Sequence, residues 1–335
     1  MFATPTVVGD LVYVGSCSGI LFALDRATGR PRWSQDVRHD GQFTSFHGDP
    51  LIFDSTIVIG TDAEGAESFA GEIVAFDLAS GRLVWKYSTT DGIVSDIVRA
   101  GDRVLAITRA DSLLCIDGAS GARIWSFWGG GTPGAAIHRS PAVDRGRVFF
   151  GDSDGRCHAL DAGSGRVLWS RDLRDRITTG ILLHRDALFL GTQDGDLVRL
   201  APATGEIDAR LKLGGSVLGP PTPAGDSLIV VSGERSLIAV ESSLARVRWR
   251  QSLPDPLSSS RPYIWQGMVL AGTERGELIA FRAADGLPRW TRALEGMIRG
   301  IGTSERVFYV GTFKGAVRAV LAPKAAPGGR WPPGR

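Results

Sequence analysis

Residues 157–169 read CHALDAGSGRVLW, two short alternating runs joined by Asp161-Ala-Gly-Ser-Gly165 and closed by a tryptophan. Alternation with period two is the mark of a half-buried strand, and Asp and Gly supply a tight turn. The segment therefore predicts a β-hairpin. The same phrase recurs as LFALDRATGRPRW ending at Trp33, EIVAFDLASGRLVW at Trp85 and LLCIDGASGARIW at Trp125. Later copies are LVRLAPATGEIDA ending at Ala209, LIAVESSLARVRW at Trp249, LIAFRAADGLPRW at Trp290 and AVRAVLAPKAAPGGRW at Trp331. The endpoints count eight units of about forty residues, which leaves no room for a second domain.

Two more strands precede each hairpin. In the fourth unit they are SPAVD and RVFFG, ahead of RCHALD and RVLWSRDL. Gly-rich turns join the second and third strands: GSCSG, GDSDG, GTQDG, GTERG and GTFKG. No segment of useful length carries a helical period. Four-stranded meanders at this spacing predict an all-β fold, a single eight-bladed β-propeller of four-stranded antiparallel blades. The propeller is expected over 1–321. The Pro/Gly-rich tail 322–335 is expected to supply the outer strand of blade 8, since its prolines suit only an edge.

Composition agrees. The chain has 335 residues, 43% hydrophobic and 22% charged, with a formal net charge of +2. That excludes a disordered chain and a strongly charged nucleic-acid binder. Gly, at 44 residues, fits many tight turns. Three cysteines (Cys17, Cys115, Cys157) give neither a disulfide framework nor a CxxC metal pair. No apolar run reaches the roughly 18 residues that span a bilayer.

Trp33, Trp85, Trp125, Trp169, Trp249, Trp290 and Trp331 are read as docking residues, packed between neighbouring sheets with the indole N–H satisfied locally. Ala209 breaks the series, so a looser boundary is expected at blade 5.

The pattern Ala-x-Asp-x-x-[Ser/Thr]-Gly-x-x-x-Trp at Ala23–Trp33, Ala75–Trp85 and Ala159–Trp169 resembles the tryptophan-docking motif of the PQQ-like, quinoprotein-type β-propeller repeat family. The resemblance covers essentially the whole chain. It implies one of two kinds of member. Quinoprotein dehydrogenases bind PQQ with Ca²⁺ at the propeller centre. Non-catalytic members, such as the lipoprotein of the outer-membrane β-barrel assembly machinery, hold protein partners. The chain is closer in style to the second kind, with nearly minimal blades and no adjacent cysteines. No catalytic residue, no metal site and no cofactor are predicted; PQQ with Ca²⁺ enters only under the alternative. The resemblance also implies an exported, extracytoplasmic protein, although the apolar N-terminus lacks the basic start of a signal peptide.

Two motifs look chemical and are read as turns. Gly15-Ser-Cys-Ser-Gly19 has nucleophile-elbow spacing but lies between strands, and Asp152-Ser-Asp-Gly155 lacks the distal Glu of a Ca²⁺ loop. Of the five histidines, His39, His47, His138, His158 and His184, none has metalloprotease spacing; His158 is read as packed or surface-lying.

With strands lettered A to D outward from the axis, B–C turns and D–A connections emerge on one face. The long segments Gln35–Asp49, Thr61–Glu72 and Ser126–Arg139 all fall there. Phe43, Phe46, Phe69, Trp128, His138 and Arg139 are the candidate partner-binding residues. The residues entering each innermost strand align as Thr4, Asp49, Asp96, Ser140, Gly180, Pro220, Arg261 and Arg299. They are expected to ring the mouth of the central channel, with acids on blades 2 and 3 facing Arg on blades 7 and 8. Such a ring suits a small zwitterion or a charged peptide loop, or serves as hydrated lining.

Blade 1 starts its inner strand near Ala3, so closure is expected either by packing alone or by a piece missing from the N-terminus. The reading favoured is a non-catalytic scaffold, monomeric, that binds a protein or peptide partner through the B–C/D–A face and does not bind nucleic acid. The alternatives are a quinoprotein-type oxidoreductase or its remnant, and the sensor domain of a larger receptor.

Overall fold

The computed structural model describes residues 4–322 apart from 17, 39–42, 47, 65–68, 94, 131–139, 234, 254, 258–260 and 314, and excludes the side chains of 43–45, 63, 64 and 69. Every regular element among them is a strand, and the strands form eight successive antiparallel sheets around one axis.

Blade 4 shows the common plan: strand A Ala142–Asp144, B Arg147–Gly151, C Arg156–Asp161 and D Val167–Asp172. Its register places Ala142, Phe149, Ala159 and Trp169 in one row across the sheet. The same row reads Thr6, Tyr13, Ala23, Trp33 in blade 1 and Val98, Leu105, Cys115, Trp125 in blade 3. A small residue on strand C thus sits beside the indole on strand D. In all three blades the register shifts immediately past that pair, a bulge that turns the edge strand.

The apolar core lies between blades rather than inside one. Seven buried clusters each draw on two neighbouring blades, one for every boundary from 1/2 to 7/8. Between blades 2 and 3, Val58, Ile73 and Ala75 meet Val104, Ala106 and Ile116. Strands covered on both faces have buried residues at nearly every position, as in Ala187–Gly191 of blade 5.

The tryptophans join these boundaries. The Trp85 Nε1–H donates to the Gly118 carbonyl of the next blade at 2.9 Å. Trp33 reaches Leu78, Trp125 reaches Ala162, Trp169 reaches Pro202 and Trp249 reaches Ala283, at 2.9 to 3.1 Å. The indole is therefore satisfied by the neighbouring blade, not locally as its sequence position suggested. Each of these rings also lies flat on a turn glycine with positive φ: a Cβ on Gly121 would sit 2.6 Å from Trp85. The turn is set by its own Asp and Ser: Asp117 Oδ1 accepts the Ser120 N–H at 2.8 Å and the Ser120 hydroxyl at 2.6 Å.

Blade 5 carries Ala209 where the others have Trp, and its neighbour compensates. Leu244 on the C–D turn of blade 6 adopts φ +60° and is buried in the cluster against which Ala209 packs. The expected loose boundary is filled from the other side.

Blade 2 departs from the plan. The D–A segment Phe43–Ser45 pairs with Asp62–Glu64, which pairs with the extended strand C, Phe69–Asp77. Blade 8 shows three strands among the described residues, Ile298–Ser304, Val307–Thr312 and Val317–Leu321; Trp331 and the outer strand expected from the tail fall outside them. Its inner strand packs directly on blade 1. A Cβ on Gly302 would lie 1.9 Å from the Pro5 carbonyl oxygen, and one on Gly300 would lie 2.6 Å from the Thr4 Cα. The Arg26 guanidinium adds a hydrogen bond to the Ser304 hydroxyl at 3.0 Å. Side-by-side packing thus joins the last blade to the first.

Candidate functional site

Four of the residues aligned at the head of the inner strands, Thr4, Asp49, Asp96 and Ser140, are joined in turn by hydrogen bonds. The Thr4 N–H donates to Asp49 Oδ1 at 2.8 Å, and the Asp49 N–H donates to Asp96 Oδ1 at 2.8 Å. The Ser140 hydroxyl donates to Asp96 Oδ2 at 2.7 Å, and the Ile181 N–H to the Ser140 carbonyl at 3.0 Å. Blades 1 to 5 are thereby linked in sequence, each acid capping an amide of the blade before it. Gly180 is required here, because a Cβ would lie 2.8 Å from the Ser140 nitrogen.

Beside this chain of bonds lies a cavity of about 360 Å³, bounded by Thr4, Asp49, Thr222, Arg261, Tyr263 and Arg299 among others. Asp49 is half-buried there. Burial first, then the Asp96 carboxylate, push its pKa up to about 6, against the pull of the Thr4 hydrogen bonds and Arg261. Arg261 is exposed and donates from Nε to the Thr222 hydroxyl at 3.3 Å. Burial holds Arg299 below the usual guanidinium range, opposed by Glu274, and its Cζ stands 5.9 Å from the Phe313 ring. Of the acids and arginines aligned in the sequence, Asp49, Arg261 and Arg299 line one cavity, and Asp96 does not line it.

Further out on the same face, buried charges connect the B–C turns. Asp62 of blade 2 is fully buried and ion-paired with Arg109 of blade 3. Asp111, also fully buried, accepts the Ser153 N–H of blade 4 at 2.9 Å. In blade 4, Asp152 bonds His158 Nε2 at 3.0 Å, and His158 Nδ1 bonds the Ser170 hydroxyl at 2.7 Å. His158 is buried between Phe127 and Phe150, so the turn at Asp152 anchors an imidazole. Charges at spacings this irregular leave no sequence pattern. A periodic signal was present one step away: the residue after the turn glycine is Thr192, Thr273 or Thr312, and Thr192 and Thr273 accept the amide four residues on at 3.1 and 3.0 Å.

The aromatic candidates divide. Trp128 is 65% exposed on this face, as expected. Phe46 is not a surface anchor: it is fully buried, and a Cβ on Gly15 would sit 2.8 Å from its ring. Ile93, Ile177 and Val217 close on Gly60, Gly151 and Gly191 in the same way. Each stands three residues ahead of its channel-mouth residue, as Phe46 does, and that offset was readable in the sequence. The side chains of Phe43 and Phe69, and all of His138 and Arg139, lie outside the described residues. Phe313, 56% exposed on the B–C turn of blade 8, is an aromatic the sequence reading passed over.

Among the described residues no three His, Cys, Asp or Glu side chains converge as metal ligands. Both Asp96 oxygens are already engaged by protein donors. Cys115 and Cys157 are buried thiols, the first pushed up to about 11 by burial.

A family model described as outer membrane protein assembly factor BamB matches residues 2–70, 53–181 and 153–307. BamB of Alkalilimnicola ehrlichii is 29% identical over 247 residues, 71% of this chain and 50% of that protein. The quinohemoprotein alcohol dehydrogenase ADH IIB of Pseudomonas putida is 31% identical over 148 residues, 44% of this chain and 20% of the enzyme. The match spans half or less of the length of these curated relatives. The solved structure of BamB from Moraxella catarrhalis superposes with a TM-score of 0.79 at 21% identity, covering 97% of this chain and 95% of that one, and shares its fold.

Proposed function

The chain belongs to the family of outer membrane protein assembly factor BamB, and from that premise we propose that it is a non-catalytic, extracytoplasmic propeller that binds a protein partner in outer membrane protein assembly. The binding face is the one carrying the B–C and D–A segments. One observation supports that choice above the others: Phe43–Ser45 joins Asp62–Glu64 and Phe69–Ala70 into a β-layer added on this side of blade 2. Among the described residues the opposite face carries the short A–B and C–D turns. Buried pairs such as Asp62–Arg109 hold the layer's base rigid, and preorganisation lowers the cost of binding. Exposed Trp128 supplies an anchor of the type that dominates interface energies.

Deleting the gene in its own host is expected to lower the level of β-barrel proteins in the outer membrane. The intact chain restores it, and a chain lacking 126–139 does not. Restoration by the deleted chain would remove the face assignment; unchanged barrel levels in the deletion strain would remove the assembly role.

A further inference from the structure

We propose that the channel-mouth cavity binds a short zwitterion, a free amino acid or a peptide of two or three residues, with its carboxylate on Arg261 and its ammonium on Asp49. The proposal stands apart from partner binding in outer membrane assembly and neither needs nor tests it.

Four observations carry it. The space, about 360 Å³, falls within the size range of small-ligand sites and accommodates more than a single amino acid. Its walls carry opposite charge: Asp49 on one side, Arg261 and Arg299 on the other. Both leading groups have capacity to spare. Asp49 accepts only from Thr4, its amide on Oδ1 and its hydroxyl, which leaves lone pairs of the carboxylate open among the described residues. Arg261 uses only Nε, towards Thr222, and its two terminal nitrogens make no hydrogen bond or ion pair among the described residues. A guanidinium with that edge free matches a carboxylate bidentately. Finally, the frame is fixed. Thr4, Asp49, Asp96 and Ser140 are tied to one another across four blades, so the acceptor does not have to be ordered on binding.

A ligand with only one charge leaves the opposite wall unmatched. A partly desolvated charge without its partner is costly, and that cost gives the discrimination. Tyr263 and Thr222 also line the space.

Calorimetric titration of the full chain with glycine, diglycine and triglycine tests this, with N-acetyldiglycine and diglycinamide as controls that each lack one charge. At least one of the three zwitterions is expected to bind saturably, and both controls of diglycine at least ten-fold more weakly than diglycine. Preference for glycine over the peptides identifies a free amino acid as the ligand, and the reverse identifies a peptide. Arg261→Gln is expected to weaken diglycine about ten-fold and leave diglycinamide unchanged. Asp49→Asn is expected to bring diglycine down to the level of the acetylated form. Arg261 is exposed, so its variant folds even if Asp49→Asn does not, and circular dichroism checks both. Equal binding of diglycine and either control, no saturable binding of any of the three, or wild-type affinity for diglycine in folded Arg261→Gln each overturns the proposal.

Discussion

The indole of Trp85 lies on Gly121 and donates its N–H to the Gly118 carbonyl, so blade 2 holds the turn of blade 3 by stacking and by a hydrogen bond at once. Truncating the ring removes a large buried side chain and leaves that carbonyl without its donor. Trp85→Ala is expected to cost about 3–5 kcal/mol, read as a lower midpoint in urea. Gly121→Ala attacks the same contact from the other side. It places a methyl in the ring and forces a left-handed φ on alanine, at a cost of about 1–3 kcal/mol.

At the boundary of blades 5 and 6 the roles are exchanged, because Leu244 fills the space facing Ala209. Leu244→Ala is expected to destabilise by about 2 kcal/mol or more. Ala209→Trp alone is also expected to destabilise, since the space is already taken. If Ala209→Trp were neutral by thermal unfolding, Leu244 would not be the compensating residue.

Asp49 ties stability to pH at the channel mouth. Its pKa is about 6 in the folded chain, against about 3.9 for an unfolded Asp, so the folded state holds the proton more tightly. Its contribution is fully present below about pH 4 and is lost as the pH rises to about 6. Asp96 and Arg261 are the charged groups that act on it. Asp49→Asn keeps an oxygen for the Thr4 amide and carries no charge. The stability of this variant relative to the parent is therefore expected to rise between pH 4 and 6. A flat difference across that range in calorimetric scans would show that Asp49 titrates normally.

His158 holds the Asp152 turn to strand D through Ser170 and is buried between two phenyl rings. His158→Ala is expected to destabilise by about 2–4 kcal/mol, since it opens a cavity and strands the fully buried Asp152 carboxylate. Asp152→Asn is expected to be milder. Denaturant midpoints of the two variants order these effects.

Trp128 offers the opposite test. Its ring is largely in water, so Trp128→Ala is expected to leave thermal stability within about 0.5 kcal/mol while abolishing restoration of barrel proteins in the deletion strain.

The propeller was legible because the interblade contact is written once per unit. An indole, a turn glycine and a turn aspartate at fixed offsets state the docking arrangement outright, and even the decayed unit ending at Ala209 keeps the count. The repeat register also aligned Thr4, Asp49, Asp96 and Ser140, which hydrogen bonds join in turn. Their bonds to one another were not legible, since capping an amide 45 residues away leaves no trace in local pattern. The added layer of blade 2 was missed because Thr61–Glu72 lacks a clean alternation. Phe46 was misplaced because an aromatic in a long loop reads as exposed until it is aligned with Ile93, Ile177 and Val217.

Every indole bond described above points the same way, from a blade to its successor. The ring therefore has a direction, as a row of hooks and eyes does. A segment cut between two equivalent endpoints and spliced elsewhere carries one donor out and one acceptor in, so it restores both joints it breaks. Duplication and exchange of whole units are thereby changes this architecture tolerates, which is a physical route by which a chain of eight like parts could arise.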